Sequence, residues 1–288
     1  MHEPRELTRA DYAALVPRPA ADTHKYARGS VLVVGGSSHY PGAPVLAALA
    51  AQRAGAGYVR LAMPQAAAAI AQTHVLSIPV SSCSQEEGAF APGAAEDVLR
   101  AGAKSTVFVV GPGLTTSPHA VGFVERLFSQ LDALLVADAD VLNIVAERPW
   151  LWERLAGRVN ILTPHEGEAA RLLGHAVDDR LAAAHELAQR FGAVAVLKGP
   201  RTLVASPDGQ CSVCVEGGPE LAKAGTGDVL AGMVGALAAQ GLPASNAAAL
   251  AVYLHARAGA LAARQHSVLG VTPEDVIAHI GPAVRELQ

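Results

Sequence analysis

Aromatic residues make up only 4% of the 288-residue chain, with two Trp, five Tyr and five Phe. A core built around large rings is therefore excluded, and Val, Leu and Ala must pack it closely instead. Cysteine is scarce too, at three residues. Cys211 and Cys214 form a C-x-x-C, but no second such pair of Cys or His completes a zinc site. They fall in "TLVASPDGQCSVCVEG", which reads as two strands around Asp208-Gly209. Residues three apart on a strand face opposite sides, so both are expected to be ordinary strand residues. A long apolar run is also missing. The most apolar region, 229–256, is broken by Gln240, Gly241, Pro243, Ser245 and Asn246. That falls short of the ~20 residues a membrane span needs. The N-terminus has no charged-then-apolar secretion signal, and the expected location is the cytoplasm. Excess positive charge is absent, with a net charge of −4 and a pI of about 6.2. Neither nucleic acid nor a membrane surface is an expected partner.

What is present is an alternation of short apolar runs and helical stretches. Strands are expected over 30–36, 58–63, 75–80, 106–113, 133–140, 159–165 and 193–199. Continuous rather than alternating apolar runs are the mark of strands buried on both faces, as in a parallel sheet. Helices are expected over 43–55, 118–131, 166–173 and 178–191, then over 226–240 and 245–265, with Ser245 as an N-cap, and after Thr272. The pattern predicts a mostly parallel α/β sheet with helices on both faces, a three-layer α/β/α single domain over 1–288. Residues 1–24 hold one amphipathic stretch, "LTRADYAALVP", expected to form a helix packed on that domain.

Ligands of open parallel sheets bind beyond the carboxyl ends of the strands. Five of the expected ends carry glycine or polar residues: Gly35-Gly36-Ser37-Ser38, Gly111-Pro112-Gly113, Asp138-Ala139-Asp140, Pro164-His165-Glu166-Gly167-Glu168 and Lys198-Gly199. A further turn, "KAGTGDVLAGMV" (223–234), runs straight into an apolar helix. It lacks the Lys-Ser/Thr ending of a P-loop. Backbone N–H groups at such a helix start favour an anion. The carboxylate of Asp228 stands among them, where it is either a cap or a general base toward a hydroxyl that attacks phosphorus. Asp140 is expected to pair with backbone N–H groups, and His255, inside an apolar helix, to serve packing.

Taken in order, "HKYARGSVLVVGGSSHYPGAPVLAALAAQRAGAGYVRLA", "VVGPGL", "VADADVLN", "LTPHEGEAARLLG", "AVLKG" and "AGTGDVLAGMV" resemble the NAD(P)H-hydrate dehydratase family of the ribokinase-like superfamily. The resemblance covers roughly residues 24–280. It implies dehydration of hydrated NADH or NADPH (the S-epimer), with the ring hydroxyl phosphorylated by ADP or ATP and phosphate then eliminated. Standalone members suggest ADP. Asp228 is implied as the base, with Gly225 and Gly227 forming the anion hole. Lys198, Gly199, Pro200, Arg201, Thr202 and Gly227 are implied for the nucleotide. Ala43, Gly113, His165 and Asp228 are implied for the dinucleotide. Glu168 is implied to hold Mg2+ through water. A homotetramer is implied, and a partner epimerase on a separate chain, since no fused epimerase domain is expected. The alternative is a small-molecule kinase of the same superfamily, acting on a thiazole, pyrimidine or sugar. The chain departs from the pattern just before the anion hole: Pro219-Glu220-Leu221-Ala222-Lys223 replaces an Asn-Pro-Gly-Met type lead-in, and Ala224-Gly225 a Gly doublet. Lys223 is left open between phosphates and solvent.

Overall fold

The computed structural model describes residues 3–155, 158 and 160–288. Residue 159, where one expected strand opens, lies outside them. Twelve strands form in chain order: β1 (Arg5–Glu6), β2 (Ser30–Val34), β3 (Tyr58–Pro64), β4 (Val80–Cys83), β5 (Gln85–Glu86), β6 (Ala89–Phe90), β7 (Val107–Val110), β8 (Leu134–Ala137), β9 (Asn160–Leu162), β10 (Val194–Leu197), β11 (Thr202–Ala205) and β12 (Cys211–Cys214). Ten of them make one sheet in the order β1-β12-β11-β10-β9-β8-β7-β2-β3-β4, and β5 and β6 pair separately. Every pairing in the large sheet is parallel except those of β11 with β10 and β12.

The apolar runs form strands because both faces of the sheet are covered. Val31 and Val33 enter one core while Leu32 and Val34 enter the other. Val107 and Val109 likewise oppose Phe108 and Val110. The first core holds helices Gly42–Arg53, Thr226–Ala239, Ala244–His266 and Pro273–Arg285. The second holds Ala94–Ala101, Pro118–Gln130, Asp140–Glu147, Glu166–Leu173 and Arg180–Phe191. The result is the expected three layers. Scarce aromatics are offset by close approach: a Cβ on Gly232 would lie 2.0 Å from the Ala47 carbonyl oxygen, so helices Thr226–Ala239 and Gly42–Arg53 meet almost backbone to backbone. No helix among the described residues is long and apolar enough to cross a membrane.

Three expectations need correction. The run 75–80 is not a strand; pairing with β3 starts only at Val80, because Pro79 interrupts the run and Leu76 is fully exposed. Ser245 is not an N-cap: the helix begins at Ala244 after Pro243, with no side-chain cap. The N-terminal segment is more than a helix. Arg9–Leu15 does form one, started by a Thr8/Asp11 capping box, but β1 before it adds a parallel strand beside β12. The C-x-x-C lies on β12, with Cys214 in the first core and Cys211 against the second.

Candidate active site

The sheet order reverses between β2 and β7, so a crevice opens at their carboxyl ends. Past the strands the hydrogen-bond ladder continues by one residue. Gly111 donates to Val34, Asp138 to Val110, Thr163 to Ala137 and Lys198 to Pro164. This brings five of the six polar ends that the sequence singles out onto one rim. At the crevice, Gly36 donates to the Pro112 carbonyl at 2.8 Å, and a Cβ on Gly113 would lie 3.3 Å from that of Ala43. Ala43 and Gly113 thus stand together.

The sixth end, the Gly-Thr-Gly-Asp turn, starts helix Thr226–Ala239. Gly225 is in the left-handed region at φ 94°, which favours glycine, and a Cβ there would press on Pro273 and Leu46 at 2.8 and 2.9 Å. A Cβ on Gly227 would meet only Lys198 Nζ, at 3.5 Å. That gap, beside an ammonium and a helix N-terminus, suits an anion. Asp228 lies in the first turn of this helix, whose N-cap, Gly225, has no side chain to offer. Burial pushes its carboxyl up to about 8, with the charge of Asp138 adding to the effect and Lys198 opposing it. A general base poised near neutrality has such a value.

Lys198 sits at the centre of the charges. Its Nζ donates to Asp138 Oδ1 at 2.7 Å and lies 3.8 Å from Glu168 Oε2. Burial works against its charge, but Asp138 and Glu168 outweigh it, so its pKa is raised. Asp138, 1% exposed, also accepts from the Thr163 hydroxyl at 2.8 Å. Asp140 accepts from Thr115 N–H at 2.8 Å, the backbone pairing expected of it. His165 caps helix Glu166–Leu173: its Nδ1 accepts from Gly167 and Glu168, and Glu168 Oε2 accepts from His165 N–H. Burial, Lys198 and Arg171 lower the His165 pKa, leaving Nε2 as the donor 3.5 Å from Glu168 Oε1. Burial raises the pKa of Glu168.

Beyond Lys198, residues 199–202 line a cavity of about 520 Å³ together with Leu221, Leu230, Val252 and Ala256. Lys198, Gly199, Pro200, Arg201, Thr202 and Gly227 all border it. Apolar walls with an anion site at one end suit a base and its phosphates. Lys223 reaches neither phosphates nor solvent alone. Its Nζ donates to the carbonyls of Leu269 and Val271, tying the anion turn to the loop that leads into helix Pro273–Arg285.

Two contacts are not evident from sequence. Asp138 has its partner 60 residues away. Arg180 grips the nucleotide-side loop through the carbonyls of Leu197, Lys198 and Pro200, and pairs with Glu166 at 3.2 Å. Neither contact has a local motif: the first depends on β8, β9 and β10 being neighbours, the second on helix Arg180–Phe191 folding back along β10.

The model of the NAD(P)H-hydrate dehydratase family matches residues 31–282. The chain is 39% identical to the bifunctional NAD(P)H-hydrate repair enzyme of Moorella thermoacetica, over 99% of this chain and 54% of that one. It is 39% identical to the ADP-dependent (S)-NAD(P)H-hydrate dehydratase of Neisseria meningitidis, over 93% of this chain and 88% of that one. It spans about half the length of the bifunctional relatives it matches. Among solved structures, the ADP/ATP-dependent NAD(P)H-hydrate dehydratase of Bacillus subtilis, co-crystallized with ATP/Mg2+, superposes with a TM-score of 0.80 at 26% identity, each chain covered in full. On the rim geometry and these matches together, the chain belongs to the NAD(P)H-hydrate dehydratase family.

Proposed function

We propose that this chain returns the S-epimer of hydrated NADH or NADPH to the reduced dinucleotide, using ADP or ATP. The observation that carries the reading is the half-buried Asp228 carboxyl, raised to about 8, at an uncapped helix start beside Gly227 and Lys198. The dinucleotide lies in the crevice along Ala43, Gly113 and His165, and the nucleotide in the cavity under residues 198–202. Asp228 takes the proton of the ring hydroxyl. The freed oxygen attacks the terminal phosphorus as the bond to the nucleotide's bridging oxygen breaks. Gly225 and Gly227 N–H groups, the helix start and Lys198 receive the charge on the transferred group. Phosphate then departs with the carbon–oxygen electron pair, and a neighbouring ring proton leaves to close the double bond.

The residues present fit a Mg2+ shared with phosphates. Asp138, Asp140, Glu168 and Asp228 gather hard oxygen donors in excess of the one lysine, though among the described residues no group of three forms a ready cage. When bound, Mg2+ supplies neutralisation of charge on phosphate oxygens. Glu168, already bound to the His165 N–H, would hold it through water.

The name of the Neisseria relative supports ADP as donor. The reading includes a homotetramer, and a separate epimerase chain to convert the other hydrate epimer. The test is incubation with hydrated NADH, Mg2+ and ADP or ATP while absorbance returns at the reduced-nicotinamide band. No recovery with either nucleotide sinks the reading, and a stable phosphorylated product of another small molecule means a kinase. Arg180→Ala should loosen the nucleotide-side loop. The expected result is a KM for the nucleotide raised about tenfold, equivalent to ~1.4 kcal/mol, with the KM for the dinucleotide unchanged. Steady-state titration of each substrate checks it, and equal changes in both would refute the loop-holding role.

A further inference from the structure

Arg171 is exposed near the end of helix Glu166–Leu173, yet its side chain runs back toward the helix start. A Cβ on Gly167 would lie 3.7 Å from its Nη1 and 3.0 Å from Cε1 of His165, so guanidinium and imidazole share one corner of the rim. Its Nε donates to Asn143 Oδ1 at 2.8 Å, on helix Asp140–Glu147. That bond fixes the guanidinium between two helices that both start at this rim. Nη1 and Nη2 have no hydrogen-bond partner and no carboxylate within ion-pairing reach among the described residues. Nearby cations are committed elsewhere. Lys198 is held by Asp138 and Glu168, and Arg180 by Glu166 and three backbone carbonyls. His165, its pKa lowered by burial and then by Lys198 and Arg171, carries little charge at neutral pH. The carboxyls of Asp138, Asp140, Glu168 and Asp228 meanwhile crowd the same rim. A dinucleotide brings further negative charge on its pyrophosphate, which this rim would repel without a free cation.

We propose that Arg171 is a substrate-binding residue, its two Nη groups forking onto the pyrophosphate of the hydrated dinucleotide where that lies along His165. The assignment rests on reading this crevice as the dinucleotide subsite. A planar guanidinium meets two phosphate oxygens at once, which a point charge does not. The bond from Nε to Asn143 sets the plane of the fork in advance, so little freedom is lost on binding.

The test is steady-state kinetics of Arg171→Gln and Arg171→Lys on the S-epimers of hydrated NADH and hydrated NADPH, with Mg2+ and whichever of ADP and ATP the parent uses. Arg171→Gln should raise KM about tenfold for both hydrates alike, with kcat and the KM for the nucleotide near the parent values. Arg171→Lys, which keeps the charge and loses the fork, should fall between. The side chain is exposed, so both variants should melt with the parent. Unchanged KM for both hydrates overturns the proposal. So does a loss confined to hydrated NADPH, which would put the guanidinium at the 2′-phosphate that only this substrate carries. A parallel rise in the KM for the nucleotide, with a lowered melting temperature, also overturns it, as the mark of a prop between helices. If the Gln variant does not fold, the Lys variant decides alone: a rise of about threefold confined to the hydrates supports the role, and parent values oppose it. Should the unaltered protein restore neither hydrate, the functional reading falls, and this assignment with it.

Discussion

Asp228→Asn is expected to lower turnover by about 10²-fold or more while nucleotide binding persists, the range that general-base catalysis contributes. Asparagine keeps the shape but cannot accept the hydroxyl proton. A pH signature accompanies the loss. Burial holds the Asp228 proton to about pH 8, so the active carboxylate form of the empty enzyme populates as pH rises through that value. The profile of kcat/KM, which reports the free enzyme, should climb on its acidic limb with a midpoint near 8. Stability runs the other way. The folded chain keeps this proton to about 8 while the unfolded chain releases it near 3.8. The free energy of unfolding therefore falls as pH climbs between those two values. Asp228→Asn has no such proton to lose, so its melting temperature relative to the parent should increase with pH across that interval. Near-normal turnover in the variant, or a flat stability difference, would contradict the assignment.

Lys198→Met should be the most destabilising single change in the site, at about 3 kcal/mol near neutral pH. Its ammonium is the charged partner of Asp138, which is 1% exposed and, among the described residues, otherwise accepts only from Thr163. Removing one member of a buried pair leaves the other charge stranded, and that is the costly part. Adding Asp138→Asn should therefore restore most of the lost stability in the double variant, a coupling that denaturant titration of the three variants measures. Activity should not return with it. Lys198 Nζ also faces Gly227, so the double variant still lacks the positive charge at the anion site. Equal destabilisation by the single and double variants would show that the pair is not coupled.

The sheet could be read in advance because its strands are apolar on both faces, a pattern no solvent-facing strand carries. The run 75–80 misled because apolar content alone does not pair a strand: Pro79 and the outward Leu76 leave only Val80 to start β4. Within the site, glycine and polar residues after each strand were legible, since a parallel sheet puts its ligands there. His165 as a helix cap was not, because His in place of Ser or Thr hides the capping box that Glu168 completes. Asp138 with Lys198, and Arg180 with the loop it grips, were hidden for another reason. The first exists only once β8, β9 and β10 lie side by side, and the second only once helix Arg180–Phe191 folds back along β10.

The central claim is that the ring hydroxyl leaves as phosphate, after transfer at Asp228, rather than as water. Hydrated NADH carrying 18O in that hydroxyl, turned over with ADP and Mg2+, tests it directly by mass spectrometry of the released inorganic phosphate. The account predicts one labelled oxygen in each phosphate and one phosphate for each NADH recovered. Label appearing in water, with phosphate unlabelled, would contradict it.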